Sequence, residues 1–187
     1  MEYQEKKDIL NKEELGQTIK RLALEIVEKN FGVKDLAIVG IQTRGVTLAK
    51  RILDEILGSA KNDEEKDIPF GTLGITLYRD DVSTMEAPPE VKDTDISFDL
   101  TGKKIILIDD VICTGRTIRA ALDELMDYGR PQSIQLAVVV DRGHRELPIE
   151  PNFVGKKFQT SKEELIEVEL EEVDGRERVV LKEKRSS

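Results

Sequence analysis

The run IILI at 105–108 is apolar at every position, and a polar turn, DDVICTGRT, follows it at once. A strand with one face in water alternates polar and apolar residues. A strand with no polar position has to be covered on both faces, as in a parallel sheet flanked by helices. After the turn, residues 117–128 take helical spacing, and Gly129 and Pro131 end that helix. LAIVGI (36–41) and SIQLAVVV (133–140) repeat the apolar run. The first leads through TRG into a helical pattern with Val46, Ala49, Leu53 and Ile56 on one side; the second ends in DRGHRELP. Such alternation predicts an α/β fold with a central, mostly parallel sheet flanked by helices. Ligands of these sheets sit at the carboxyl ends of the strands. Three strand ends here carry polar chemistry: TRG at 43–45, DDVICTGRT at 109–117 and DRGHR at 141–145.

The remaining segments fill in around this frame. Leu15, Ile19, Leu22 and Ile26 predict a helix over 11–29, with Asn11 as its cap, Glu14 three residues on and Gly32 past its end. Residues 58–68 read as a surface loop and TLGITLY (72–78) as a strand. The charged segment 79–95, with paired prolines, is long for a loop inside a compact domain, and such loops are usually functional or mobile. DISFDLTGKK (95–104) reads as a short strand and turn. Residues 165–181 read as two strands around an Asp174-Gly175 turn.

A chain of 187 residues is long enough for one domain with a substantial core. Its net charge of -9 restricts any nucleic-acid site to a local basic patch. Cys113 is the single cysteine, so no intrachain disulfide can form and a reducing cytoplasm is expected. The stretch MEYQEKKDIL has no apolar signal core, and no run approaches a membrane span, so a soluble protein is expected.

The TGRT turn precedes a helix, where backbone N–H groups and the helix dipole attract an anion. Gly115 lets a ligand approach the backbone, and Thr114 and Thr117 add hydroxyl donors. A plain capped helix start would look similar, but Asp109 and Asp110 lie just ahead of it. Carboxylates accept hydrogen bonds from hydroxyls, or coordinate a magnesium ion that binds those hydroxyls. Acids and anion turn together fit a ribose phosphate. A P-loop needs GxxxxGK[ST] and a dinucleotide turn GxGxxG, and neither is present. With one His and one Cys, a His/Cys zinc site is not expected.

Four apolar residues, two acids, two apolar residues and a T-G-x-T core resemble the PRPP-binding signature of the type I phosphoribosyltransferases. The resemblance extends over VGIQTRGVTLAKRI (39–52), ITLYRDD (75–81), residues 108–149 and FVGK (153–156). DRGHRELPI marks similarity to the family of bacterial pyrimidine-operon regulators that are also uracil phosphoribosyltransferases. The resemblance implies a single domain over 1–187, with 79–95 as a mobile active-site loop. It also implies a small hood built from terminal segments, with hood and C-terminal strands over about 145–181. The implied reaction joins uracil to PRPP, giving UMP and pyrophosphate, with magnesium accompanying PRPP.

Within that resemblance, Asp109 and Asp110 hold the ribose hydroxyls, directly or through magnesium. Residues Val111, Ile112, Cys113, Thr114, Gly115, Arg116 and Thr117 complete the PRPP and UMP site. Thr43, Arg44 and Gly45 correspond to the pyrophosphate loop, and Arg79 is a second pyrophosphate contact. Asp141, Arg142 and Gly143 lie at the base pocket, where backbone groups can read the uracil edge. Purine-type relatives often carry an acid where Cys113 stands, which points here to a pyrimidine. The plainer reading of any single Arg is a solvated surface residue.

The resemblance also implies a regulator that binds pyrimidine-operon leader RNA in response to UMP, and a homodimer or higher homo-oligomer. Lys20, Arg21, His144, Arg145 and Lys156 are the RNA-contact candidates. Leu24 stands where the family often carries a His, and Glu150 where it often carries an Arg; both departures weigh against RNA binding. Two alternatives stay open: an RNA-binding nucleotide sensor with vestigial catalysis, and a phosphoribosyltransferase for another base.

Overall fold

The computed structural model describes residues 3–59, 67–75 and 93–185. Along the chain these form β1 (Tyr3–Leu10), α1 (Lys12–Lys29), β2 (Leu36–Ile41), α2 (Arg44–Gly58), β3 (Phe70–Leu73) and β4 (Lys104–Ile112). They continue with α3 (Arg116–Asp127), β5 (Ser133–Asp141), β6 (Phe153–Lys157), β7 (Glu164–Glu169), α4 (Glu171–Asp174) and β8 (Arg178–Lys184). Five strands make a parallel sheet in the order β3-β2-β4-β5-β6. The other three make an antiparallel sheet in the order β1-β8-β7.

The continuous apolar runs are explained by two cores. On β4, Ile106 and Ile108 pack into one cluster with α1 and α2, while Ile105 and Leu107 pack into a second with α3. β2 and β5 divide in the same way: Ile38 and Val139 face the first cluster, Val39 and Val138 the second. Each fully buried aliphatic side chain contributes about 1.5–3 kcal/mol relative to exposure, so covering both faces is what holds these strands. Ile9, Ile166, Val168 and Leu181 extend the first cluster into the smaller sheet. That sheet is the hood expected from terminal segments.

α1 begins as the sequence predicts, with a capping box in which the Asn11 side chain accepts from the Glu14 amide at 3.0 Å. α2 turns a different face inward: Leu48, Ala49, Ile52 and Ile56 are its buried apolar residues, and Val46 and Leu53 lie at the edge of that stripe. No strand forms over 95–103, ahead of β4; Asp95 makes one isolated bridge to Thr72, and a turn follows at Thr101-Gly102. The expected strand at 72–78 begins earlier, at Phe70, and ends at Leu73; residues 74–75 are not strand, and 76–78 lie outside the described part. The tail forms its two strands, but the link between them is the single helical turn α4, closed by Gly175 at φ 64°. The expected hood boundary near 145 also shifts. Residues 153–157 are the fifth strand of the parallel sheet, paired to β5, so the C-terminal part of the hood starts at β7.

β1 has no counterpart in the sequence reading. Five of its residues are exposed and only Ile9 and Leu10 are buried, so alternation is missing. Its antiparallel ladder with β8 places it, and charge pairs line it. Lys6 bridges Glu164 and Glu183, and Arg178 bridges Glu5, Asp8 and Glu169.

A Cβ at Gly40 would lie 2.5 Å from Val46 Cα and 2.7 Å from the Gly45 carbonyl oxygen. Those obstacles are helix backbone and cannot swing aside, so Gly40→Ala should destabilise by about 2–4 kcal/mol. Gly16, inside α1, faces open space, and Gly16→Ala should stabilise by about 0.5–1 kcal/mol. Urea unfolding of both variants measures the two opposite shifts.

Candidate functional site

The three chemically loaded strand ends lie side by side. β2 and β5 flank β4 on either side, with Gly40 in register with Ile108 and Ile112 in register with Asp141. The Arg142 amide donates to the Ile112 carbonyl at 3.2 Å, joining the ends of β4 and β5. β4 runs on through the acids, so Asp109 and Asp110 are strand residues and not part of the following turn. Asp109 is buried at 7% exposure. Each acid accepts a hydrogen bond from the amide of the next residue, at 2.9 Å for Asp109 and 2.8 Å for Asp110. The charge of this pair is therefore met partly by backbone.

Helices begin on both sides of the acids. α2 starts after Thr43 and α3 after Gly115; neither has a side-chain cap hydrogen bond or an acid in its first turn. α1, by contrast, has its capping box and two glutamates there. The first amides and the positive dipole ends of α2 and α3 are thus left without a carboxylate in that turn. Gly115 caps α3 at φ 92°, and the Thr114 hydroxyl accepts from the Arg116 amide at 3.1 Å. Gly115 is needed because its backbone lies in the left-handed region. Gly45 serves close approach: a Cβ there would meet the Ile108 carbonyl at 2.6 Å and Asp109 Cα at 3.2 Å. The Gln42–Thr43 peptide joining β2 to α2 is cis.

Arg44 is held by the hood. Its Nε and Nη2 donate to the two carboxylate oxygens of Asp174 at 3.1 and 2.7 Å, and Glu167 lies 3.8 Å away. Burial works to lower the Arg44 guanidinium, but the Asp174 hydrogen bond and the fields of Asp110, Asp174 and Glu167 leave it raised. Burial likewise pushes Asp174 up, and the Arg44 and Leu170 hydrogen bonds with the Arg44 and Lys182 charges hold it below the ordinary carboxylate range. The pair is ionised on both sides at neutral pH.

The segment after β5 folds back over the TGRT turn. The amides of Glu146 and Leu147 donate to the Thr114 carbonyl at 2.9 and 3.2 Å. Arg116 pairs with Glu146 at 2.6 Å. Arg145 donates to the carbonyls of Cys113, Gly143 and Ile149 at 2.9, 3.4 and 2.8 Å and to Asp141 at 2.7 Å. Asp141 also accepts from the Gly143 amide at 3.0 Å. Arg142 is buried, and its guanidinium reaches Thr160 and the carbonyls of Ser161 and Glu164. Its side chain therefore anchors the 160–164 segment, and what faces the strand end is backbone.

The expected RNA contacts divide. Lys20 is exposed on α1. Arg21 donates to the Gly155 carbonyl at 2.5 Å and pairs with Glu25 at 2.6 Å. Lys156 donates to the Ile9 carbonyl at 3.3 Å, and the His144 Nε2 lies 2.6 Å from the Thr160 carbonyl. Leu24 and Glu150 are both exposed. Arg79 and most of the expected mobile loop lie outside the described residues.

Sequence reading missed the hood carboxylates at the site. A usable signal was present: Arg44 and Arg51 lie two helical turns apart, and the chain offers them the acids of EEVDGRE (171–177). Arg51 pairs with Glu172 and Glu177, both at 2.5 Å. Among the described residues no group of three or more His, Cys, Asp or Glu could hold a metal ion, and no helix is long and apolar enough to cross a membrane. Two carboxylates together with ligand oxygens and water are nevertheless a usual setting for magnesium.

Removing the Arg145 side chain would take a donor from three carbonyls and from the Asp141 carboxylate at once. Arg145→Ala should therefore destabilise by about 2–4 kcal/mol, read as a lower urea midpoint with little change in slope.

A model of the "Phosphoribosyl transferase domain" family matches residues 5–172. The chain is 53% identical over 182 residues to the "Bifunctional protein PyrR" of Thermus aquaticus, covering 97% of this chain and 98% of that protein. It is 49% identical over 176 residues to the protein of that name from Enterococcus faecalis, covering 94% and 96%. In structure it is similar to a hypoxanthine-guanine phosphoribosyltransferase from Bacillus anthracis, with a TM-score of 0.69 and 19% identity over 95% of this chain and 98% of that one. At that identity the likeness shows the fold.

Proposed function

The chain belongs to the phosphoribosyltransferase family and, within it, to the bifunctional PyrR proteins, and from that premise we propose a uracil phosphoribosyltransferase that also regulates pyrimidine-operon attenuation by binding leader RNA in response to UMP. The observation that carries the catalytic half is the acid pair on β4 set between the N-termini of α2 and α3. Anionic groups at both ends of PRPP need positive ends, and the ribose hydroxyls between them need acceptors. Asp109 and Asp110 take the hydroxyls, residues 111–117 with the start of α3 take the 5-phosphate, and Thr43, Arg44 and Gly45 take the pyrophosphate. Arg79 is the second pyrophosphate contact. Backbone of Asp141, Arg142 and Gly143 reads the uracil edge.

In the reaction the bond from ribose C1 to pyrophosphate oxygen breaks, and its electron pair leaves on oxygen. Uracil N1 supplies the pair for the new N–C1 bond, and its proton passes to the departing pyrophosphate or to water. Positive charge develops on the ribose ring, and the carboxylates beneath it favour that charge. Arg44 and the α2 dipole favour the charge left on pyrophosphate. Asp109 and Asp110 would also hold magnesium, which supplies charge neutralisation at the PRPP oxygens when bound.

Replacing both acids, Asp109→Asn with Asp110→Asn, should lower turnover by about 10³-fold or more with the fold retained by circular dichroism. Undiminished turnover would remove these acids from the mechanism. Wild-type protein assayed with PRPP, magnesium and each of uracil, orotate, hypoxanthine and guanine should form product from uracil alone. Product from another base would reassign the substrate, and no product from any base would favour the regulator with vestigial catalysis.

Lys20, Arg21, His144, Arg145 and Lys156 form the proposed RNA-contact set, in a homodimer or higher homo-oligomer. Glu150 is exposed and has the wrong sign for phosphate. Glu150→Arg should tighten leader-RNA binding in UMP by about tenfold and steepen its salt dependence. Gel shifts at two salt concentrations measure this, and an unchanged affinity would take position 150 off the RNA face.

A further inference from the structure

We infer that Asp174 is a positioning residue for pyrophosphate: the hood carboxylate orients the Arg44 guanidinium toward the site and holds it there before substrate arrives. This rests on the reading of Arg44 as a pyrophosphate contact.

Arg44 opens α2, where the helix dipole is positive. A cation at that end is unfavourable, and a long side chain there would turn outward to water. The first turn of α2 contains no acid to retain it. The neutralising charge comes instead from 130 residues further along the chain, as a two-point fork from Asp174. A fork of this kind fixes the guanidinium plane as well as its position. It occupies Nε and Nη2 and leaves Nη1 outside. The residue after Arg44, Gly45, backs directly onto the Ile108 carbonyl and Asp109 of β4, so Arg44 leaves the helix start beside the acid-bearing end of that strand.

Asp174 is itself fixed. Its Oδ2 accepts from the Leu170 amide at 2.9 Å, and Gly175 at φ 64° closes α4 directly after it. The carboxylate therefore has a set position from which to aim its partner. A fastening of hood to α2 would not by itself need this pair, because Arg51 already joins the same segment through Glu172 and Glu177. Nor is Asp174 simply a competitor for the cation: a fork on one edge of a guanidinium leaves donors for a second anion.

The test is a double-mutant cycle read by magnesium pyrophosphate binding in calorimetry, which needs no turnover. It uses wild type, Arg44→Ala, Asp174→Ala, the double variant and Asp174→Glu. Asp174→Ala should raise the pyrophosphate dissociation constant by about tenfold. The PRPP KM should rise similarly, the uracil KM should stay within about twofold, and Asp174→Glu should recover part of the loss. In the Arg44→Ala background, removing Asp174 should change nothing further. Equal weakening in both backgrounds, unchanged pyrophosphate binding in Asp174→Ala, or tighter binding there would each overturn the inference. Wild-type protein that binds pyrophosphate but forms no UMP would instead refute the proposed reaction and leave the cycle readable. Wild-type protein that does not bind pyrophosphate would overturn both.

Discussion

The first turn of α2 lies on β2 and β4 with no side chain between them. Gly40 and Gly45 allow this, since a Cβ on either would fall inside 3 Å of backbone on the opposing element. Because the helix start is pressed to the strands, the Gly45 backbone comes next to Asp109 and Arg44 starts beside the acid-bearing end of β4. The second core follows from the same strands: with Ile105 and Leu107 committed to the α3 side, β4 is held from both faces and its end cannot tilt. The spacing between the acid pair and the two helix N-termini is thus a packing result, set by apolar side chains that take no part in chemistry.

The charge distribution explains how a protein of net charge -9 suits a polyanionic ligand. Much of the acid sits in the hood and is spent on arginines. Arg178 takes three carboxylates, Arg51 two, and Arg44 is shared between Asp174 and Glu167. Fields from pairs neutralised at contact fall off quickly, so they oppose an incoming phosphate far less than the formal charge implies. What remains directed at the site is local: helix amides, the forked Arg44, and the two acids that a ribose would contact. The hood is therefore more than a cover. It sets the electrostatic condition of one edge of the site.

Much of the fold was legible in the chain. The unbroken apolar run of β4 required cover on both faces, and the order of acid pair, glycine turn and helix pointed to the end of the central strand as the candidate site. What sequence could not supply were the partners reached across long separations. β1 carries no apolar alternation because charge pairs and one hydrogen-bonded neighbour, β8, define it. Asp174 next to Gly175 reads as a turn, and so it is, but its carboxylate faces a helix formed from the other end of the chain. Burial told nothing in advance about Arg142, since an arginine enters a core only when carbonyls are there to receive it, and those come from 160–164.

The basic residues near the site need sorting by what they already hold. Arg145 joins the segment after β5 to the TGRT turn through the Cys113 carbonyl, Arg21 ties α1 to β6, and Lys156 reaches β1. A positive side chain with such bonds can still present charge to RNA, because a carbonyl does not neutralise it. Truncating it, however, removes a structural bond along with the charge. Loss of RNA binding in such a variant has two explanations, and stability alone does not separate them. Salt dependence does: a lost phosphate contact lowers the slope of log K against log salt by about one, whereas a loosened fold lowers affinity without removing a counterion. Lys20, exposed on α1, is the position where the two effects are least entangled.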